Sequence, residues 1–179
     1  MKKQPELTAM TRQMLIDTFF NIMAEGKKAT VGAITERAGY NRCTFYRYFA
    51  DTEQLLLQVE AEICDAFGAV LTGQAPGVSP TEIIGSFAAV YQQYGKYLSV
   101  LLGEHGDSRF VRKMKETVHP VARQLLTASS ESNIAAALKE EFTLSAVLAT
   151  ITKWYEMKQP IPISQLGILI MNVLQHGVF

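Results

Sequence analysis

Cysteines, long apolar runs and an excess of one charge are all scarce in these 179 residues, and each scarcity removes a class of protein. The two cysteines, Cys43 and Cys64, form no CxxC and join no Cys/His cluster with metal spacing. Neither a disulfide framework nor a metal site is expected, and a reducing cytoplasm is the natural setting. The longest uninterrupted apolar run of the tail, Leu166 to Met171, falls far short of the roughly 20 residues of a bilayer span. The opening MKKQPELTAMTRQ has basic residues with no apolar stretch behind them and no small-residue cleavage site, so no signal peptide and no membrane attachment are expected. No GxSxG elbow, GxxxxGK[ST] phosphate loop, GxGxxG or HExxH occurs. His105, His119 and His176 lie far apart with no carboxylate or cysteine at ligand spacing. The chain therefore reads as no enzyme, with no cofactor.

What is present is helix. No stretch alternates as a strand does, and no internal repeat or low-complexity tract occurs. An apolar content of 48% suits one sizeable core or two small ones. Seventeen basic and seventeen acidic residues give no net charge, but they are unevenly distributed. Residues 1–50 hold eight basic and four acidic side chains, and the remainder holds nine and thirteen. A basic first third on an acidic remainder fits a DNA-reading head on a body that does not touch DNA. The expected division is 1–50 for the head and 51–179 for a regulatory and dimerisation body.

Within the head, a first helix starting near Thr8 or Thr11 and running to about Glu25 carries Leu15, Phe19, Ile22 and Met23 on one face, and Gly26 is placed to end it. Lys27 and Lys28 face either the negative end of the helix dipole or phosphate. The stretch TVGAITERAGYNRCTFYRYF, Thr30 to Phe49, reads as two short helices around a tight turn. Thr30 caps the first helix, over about Val31 to Arg37, and Gly39 supplies a left-handed backbone position. After Asn41, a cap-type residue, the second helix runs from Arg42 through Tyr48. Val31, Ile34, Ala38, Phe45 and Phe49 are spaced to face inward, leaving Arg42, Cys43, Thr44 and Arg47 to point out. That pattern predicts a helix-turn-helix whose second helix enters the major groove. Arginine pairs with guanine O6 and N7, threonine contacts a base or a thymine methyl, and the tyrosine hydroxyls of Tyr46 and Tyr48 suit phosphate.

In the body, a fourth helix capped by Asp51 or Thr52, with Gln54 completing a capping box, has Leu56, Val59, Ile63, Phe67 and Val70 along one side. TGQAPGVSP, Thr72 to Pro80, is the clearest break. A helix over about Thr81 to Leu102 has no charge between Glu82 and Lys96 and is expected in the middle of the body. Asp107 or Ser108 caps the next, and Pro120 starts, kinks or breaks a helix. A long helix over about Ile134 to Met157 follows. A last one, capped by Ser164 after Pro160 and Pro162, carries Leu166, Ile168, Leu169, Ile170, Val173 and Leu174. These two are apolar on more than one face, and a homodimer formed through them is the simplest way to bury that surface. Phe87, Tyr91, Tyr94 and Met114 are the candidate lining of a pocket for a small apolar or aromatic effector, with core packing the alternative for each. His105, in the loop GEHGDS, lines such a cavity or stands in solvent.

With those residues in view, the chain resembles the TetR family of transcriptional regulators. The resemblance is strongest over residues 11–60, in the TR start of the first helix, TVxxI, AGYNRxTFYRYF and the ExLL run. It implies an all-α protein with a three-helix DNA-binding head and a helical ligand-binding and dimerisation body. It further implies that Arg42, Cys43, Thr44 and Arg47 face base edges, that Thr30, Tyr46 and Tyr48 meet phosphate, that Asn41 belongs to the same DNA-binding set, and that a dimer reads a pseudo-palindromic operator in double-stranded DNA, as a repressor modulated by an effector. Two positions depart from the family's pattern. Thr52 stands where lysine is usual, and Thr35 where a small alanine is. Leu101 to Lys115 and Ile151 to Ile170 resemble a subgroup whose C-terminal domain is like that of dihydroxyacetone kinase regulators, which implies as an alternative a coactivator working with a protein partner. A dimeric interaction module that has lost DNA binding is the reading from another class, and Thr52 is the feature that keeps it open.

Overall fold

The computed structural model describes residues 5–72, 80–103, 106–126 and 133–176, and among them are eight α-helices and no strand. In order these are α1 (Pro5–Ala24), α2 (Val31–Ala38), α3 (Arg42–Phe45), α4 (Thr52–Thr72), α5 (Pro80–Leu101), α6 (Ser108–Leu126), α7 (Asn133–Glu156) and α8 (Ile163–His176). Two compact units divide the chain, Met1–Glu62 and Ile63–Phe179, so the division falls inside α4.

The first unit is the head. Leu15, Ile16, Phe19, Phe20 and Ile22 of α1 are buried together with Ile34, Phe45, Phe49, Leu55, Leu56 and Val59. This is the 3.6-residue periodicity of α1 closing on the inward residues of α2 and α3 and on the start of α4. Arg12 holds the unit together from one position. Its guanidinium lies over the Phe49 ring, 5.5 Å from the centroid, and donates to Gln58 and Glu62 on α4. Arg12 thereby joins the end of the helix-turn-helix to α4 through a cation–π contact and two hydrogen bonds.

In the second unit, α6 packs on α7, and α5 and α7 each pack on α8. Its core holds Val90, Tyr97, Leu98, Val100 and Leu101 of α5, Phe110 and Met114 of α6, Leu144, Leu148, Trp154 and Tyr155 of α7, and Leu166 of α8. Between α6 and α7, Lys115 donates to Glu141 and Ser145, and His119 meets the buried Glu140 at 3.1 Å. The Lys115 ammonium and the Ser145 hydroxyl hold the Glu141 carboxyl below the ordinary range.

One expectation about this unit is narrowed and one is corrected. Of the alternatives for Pro120, starting and breaking a helix are excluded and a kink is not, because α6 runs through it from Ser108 to Leu126. The carbonyl that loses its donor is that of Glu116, an exposed position where water can serve it. The correction concerns α5, which is not enclosed on all sides. Gly85, Ala89, Gln92, Gln93 and Lys96 form an exposed side, which small and amide-bearing residues occupy up to the charge of Lys96.

Candidate nucleic-acid interface

Each element of the helix-turn-helix is fixed locally by its own residues. Thr30 is the N-cap of α2, its backbone extended at φ −88° and its hydroxyl accepting from the Ala33 N–H at 3.2 Å. Gly39 closes α2 at φ +73°, where a Cβ would be strained. The N–H of Gly39 donates to Glu36 O and that of Tyr40 to Thr35 O, the paired bonds of a Schellman end. Thr35 is buried, and its hydroxyl is absorbed by the carbonyls of Val31 and Gly32 at 2.8 and 3.1 Å, so the larger residue fits without an orphaned polar atom.

Asn41 then caps α3, its side-chain oxygen accepting from the Thr44 N–H at 2.8 Å. Regular α-helix covers Arg42 to Phe45 and continues as turns to Tyr48, where the sequence pattern predicts helix throughout. Arg47 and Tyr48 donate to the carbonyls three residues back, the tighter bonding common in a last turn. Phe45 and Phe49 are buried with ring centroids 5.5 Å apart, and each of the adjacent tyrosines lies ring to ring with one of them.

The residues expected at DNA fall into two groups. Arg42, Cys43, Tyr46 and Arg47 are exposed and Tyr48 is half-buried, so they share one accessible stretch. Thirty and forty-one are different: Thr30 and Asn41, though also exposed, spend their side-chain oxygens on caps. Thr44 does not point out. It is 6% exposed, because its hydroxyl turns back to Asn41 at 3.0 Å while accepting from Arg47 at 3.1 Å.

Two residues of the site have no signature in the spacing. Gly32 on α2 leaves room for the Arg42 guanidinium, since a Cβ there would lie 3.1 Å from Nη2. The signal available was a glycine one position inside a short helix. Glu25 pairs with both Lys27 and Arg37, and these hydrogen bonds hold its carboxyl below the ordinary range, with Lys27 the larger influence. Two of the head's cations therefore already have an acidic partner, while Lys28 is exposed. At the start of α4, the Asp51 carboxylate accepts from the Gln54 N–H and the Gln54 amide oxygen from the Ala50 N–H, and Thr52 is half-buried.

The candidate effector residues are placed less coherently. Phe87 lies against Phe67, with centroids 5.6 Å apart, and Met114 is in the core. Tyr91 sets its ring edge-on to Trp154 and donates to the Gln159 side chain at 3.0 Å, and its partial burial raises the phenol pKa. Tyr94 is half-buried, and His105 lies outside the described residues. An open cleft between α6 and α7 is lined by Val111, Lys115, Ser145, Leu148, Thr152 and Lys153 among others, and none of Phe87, Tyr91, Tyr94 or Met114 lines it. Among the described residues no group of His, Cys, Asp and Glu could hold a metal, and no helix is long and apolar enough to cross a membrane.

The family model of the bacterial regulatory proteins of the tetR family matches residues 23–59, from the end of α1 into α4. No curated protein matches the chain. Among solved structures, a TetR transcriptional regulator from Streptococcus agalactiae is 19% identical with a TM-score of 0.66, the match covering 94% of this chain and 96% of that one. The fatty acid degradation regulator FadR from Bacillus halodurans is 18% identical with a TM-score of 0.71, over 99% and 98%. The TetR-like transcriptional regulator LfrR from Mycobacterium smegmatis is 21% identical with a TM-score of 0.52, over 96% and 97%. The fold is thus TetR-like, with a helix-turn-helix head and a helical body.

Proposed function

We propose that this chain, which has the head domain and the fold of a TetR-like transcriptional regulator, is a homodimeric DNA-binding repressor of the cytoplasm. The observation that carries the reading is the exposed set Arg42, Cys43, Tyr46 and Arg47 on the recognition segment, held on a head whose helix ends are capped by Thr30, Gly39 and Asn41. Two arginines and a phenol on one accessible stretch supply base-edge donors and a phosphate donor together.

Dimerisation has its own support. On α7, Ile134, Leu138 and Phe142 recur every four residues and are 75%, 67% and 75% exposed. Ile168, Leu169, Val173 and Leu174 are exposed on α8. Apolar side chains in such a stripe call for a covering surface, and a second copy offers the matching one. Two heads about one helical turn of DNA apart would read a pseudo-palindrome. An effector in the body, with Phe87, Tyr91, Tyr94 and Met114 as candidates, would shift α4 and change the spacing of the heads by no more than its preference for one arrangement allows. The subgroup resemblance to dihydroxyacetone kinase regulators brings a second reading, a coactivator whose protein partner covers the α7 stripe.

Purified protein titrated with DNA from upstream of its own gene, at fixed salt, tests the reading. Arg42→Ala and Arg47→Ala should each weaken specific binding by about tenfold or more. Unchanged binding in both variants would show that the recognition segment is misassigned. No binding to any DNA even at low salt would leave the interaction module as the surviving account.

A further inference from the structure

The buried hydroxyl of Thr44 sits in the middle of the exposed recognition stretch, where a base-reading threonine would have to be accessible. It is placed between two polar partners instead. Its Oγ1 donates its single proton to Asn41 Oδ1 at 3.0 Å, and Arg47 Nη2 donates to it at 3.1 Å. The Asn41 oxygen is itself held by the Thr44 N–H at 2.8 Å, as the cap of α3. The chain of bonds therefore has a direction: the cap fixes the amide oxygen, the amide oxygen fixes the hydroxyl proton, and the remaining lone pairs of the hydroxyl face Arg47.

We infer that Thr44 is a positioning residue that reads no base itself and aims the guanidinium of Arg47. This rests on the DNA-binding role proposed above and refines it. A guanidinium presents five N–H groups in one plane, so a bond from Nη2 to Thr44 leaves donors on that plane for the two acceptors, O6 and N7, that guanine shows in the major groove. Holding the plane before DNA arrives reduces the side-chain freedom that binding would otherwise have to remove. The specificity of Arg47 is thus set by an asparagine cap and a threonine that the bound DNA does not touch.

The test uses the full chain and the upstream DNA, narrowed by footprinting and then varied one base pair at a time, with affinities measured at one salt concentration. Arg47→Ala should lose discrimination at one base pair in each half-site. Thr44→Val, which keeps the shape and removes the hydroxyl, should lose about fivefold at that same base pair and at no other. Thr44→Ser should restore it. The double variant Thr44→Val with Arg47→Ala should discriminate no worse than Arg47→Ala alone, because the two act through one group.

Thermal melts of each variant keep folding apart from reading. Should Thr44→Val be unfolded at the assay temperature, Thr44→Ala takes its place in the same comparison. Wild-type discrimination in a folded hydroxyl-free variant overturns the inference, as does a loss at a different base pair or a double variant whose losses add. Failure of the wild-type protein to bind DNA at all is a separate result. It removes the DNA-binding proposal, and this inference with it.

Discussion

In the head, the polar side chains around the turn are engaged with one another and with the backbone. Thr30, Thr35, Asn41, Thr44 and Arg47 all take part in short local bonds, and Glu25 gathers Lys27 and Arg37. The body leaves more undone. Ile134, Leu138 and Phe142 on α7, and four apolar residues on α8, stand in solvent in the single chain. The difference teaches that the polar groups around the turn are set in advance, while the apolar side chains on α7 and α8, like Leu7, Met10 and Met14 on α1, are left for something else to cover. The exposed groups of the recognition segment suit a polar, charged partner, and the stripes of α7 and α8 suit an apolar one.

The comparison can be broken most severely at Phe45. Its ring is fully buried, so Phe45→Ala should destabilise the head by about 3–5 kcal/mol. Amide hydrogen exchange should show protection lost over α1 to α3 and kept in α5 to α8. Equal loss in both would mean that the two units do not fold separately. The body's counterpart is Leu138→Asp combined with Phe142→Asp. Sedimentation should show self-association weakened about a hundredfold, roughly 3 kcal/mol, with the melting of the head unchanged. A dimer that survives both charges would assign the α7 stripe to another partner.

Smaller effects sharpen the claim that the head is set locally. A Cβ at Gly39 meets nothing within 4 Å, so the cost of Gly39→Ala should be that of the left-handed backbone alone, about 1–2 kcal/mol in a denaturant titration. Thr30→Ala, which removes only the α2 cap, should cost about 1 kcal/mol.

The mildest prediction concerns acid. Asp107 caps α6 by accepting from the Arg109 N–H, and the Arg109 side chain holds its carboxyl below the ordinary range. Since the folded value is the lower one, this stabilisation is fully present above the ordinary carboxylate value of about 4 and is lost as pH falls through the folded value. Asp107→Asn should therefore lower the melting temperature slightly at neutral pH, change it little in acid, and so flatten the acid limb of a plot of melting temperature against pH.

Much of this protein is legible without coordinates because it is decided within a few residues. Apolar residues recurring every three or four positions, Gly26 and Gly39 at helix ends, and Thr30 and Asn41 at helix starts each act on neighbours one turn away, so the elements and the turn between α2 and α3 follow from spacing. Pro120 shows the limit even of local signals. A missing donor has a local cost, but whether the helix continues depends on the packing of its apolar face, and α6 continues.

The sequence by itself determined an all-helical chain, a capped helix-turn-helix with two arginines on it, and terminal helices apolar on more than one face. Tertiary structure alone decided that Arg42 rests on Gly32, that Arg12 lies over Phe49 and reaches α4, and that Glu25 claims Arg37. The physical reason is separation along the chain. A cap or a turn is closed by bonds within one helical turn, which spacing encodes. The position of a guanidinium is settled by whichever surface the folded backbone brings beside it, and Gly32 is ten residues from Arg42, as Glu62 is fifty from Arg12.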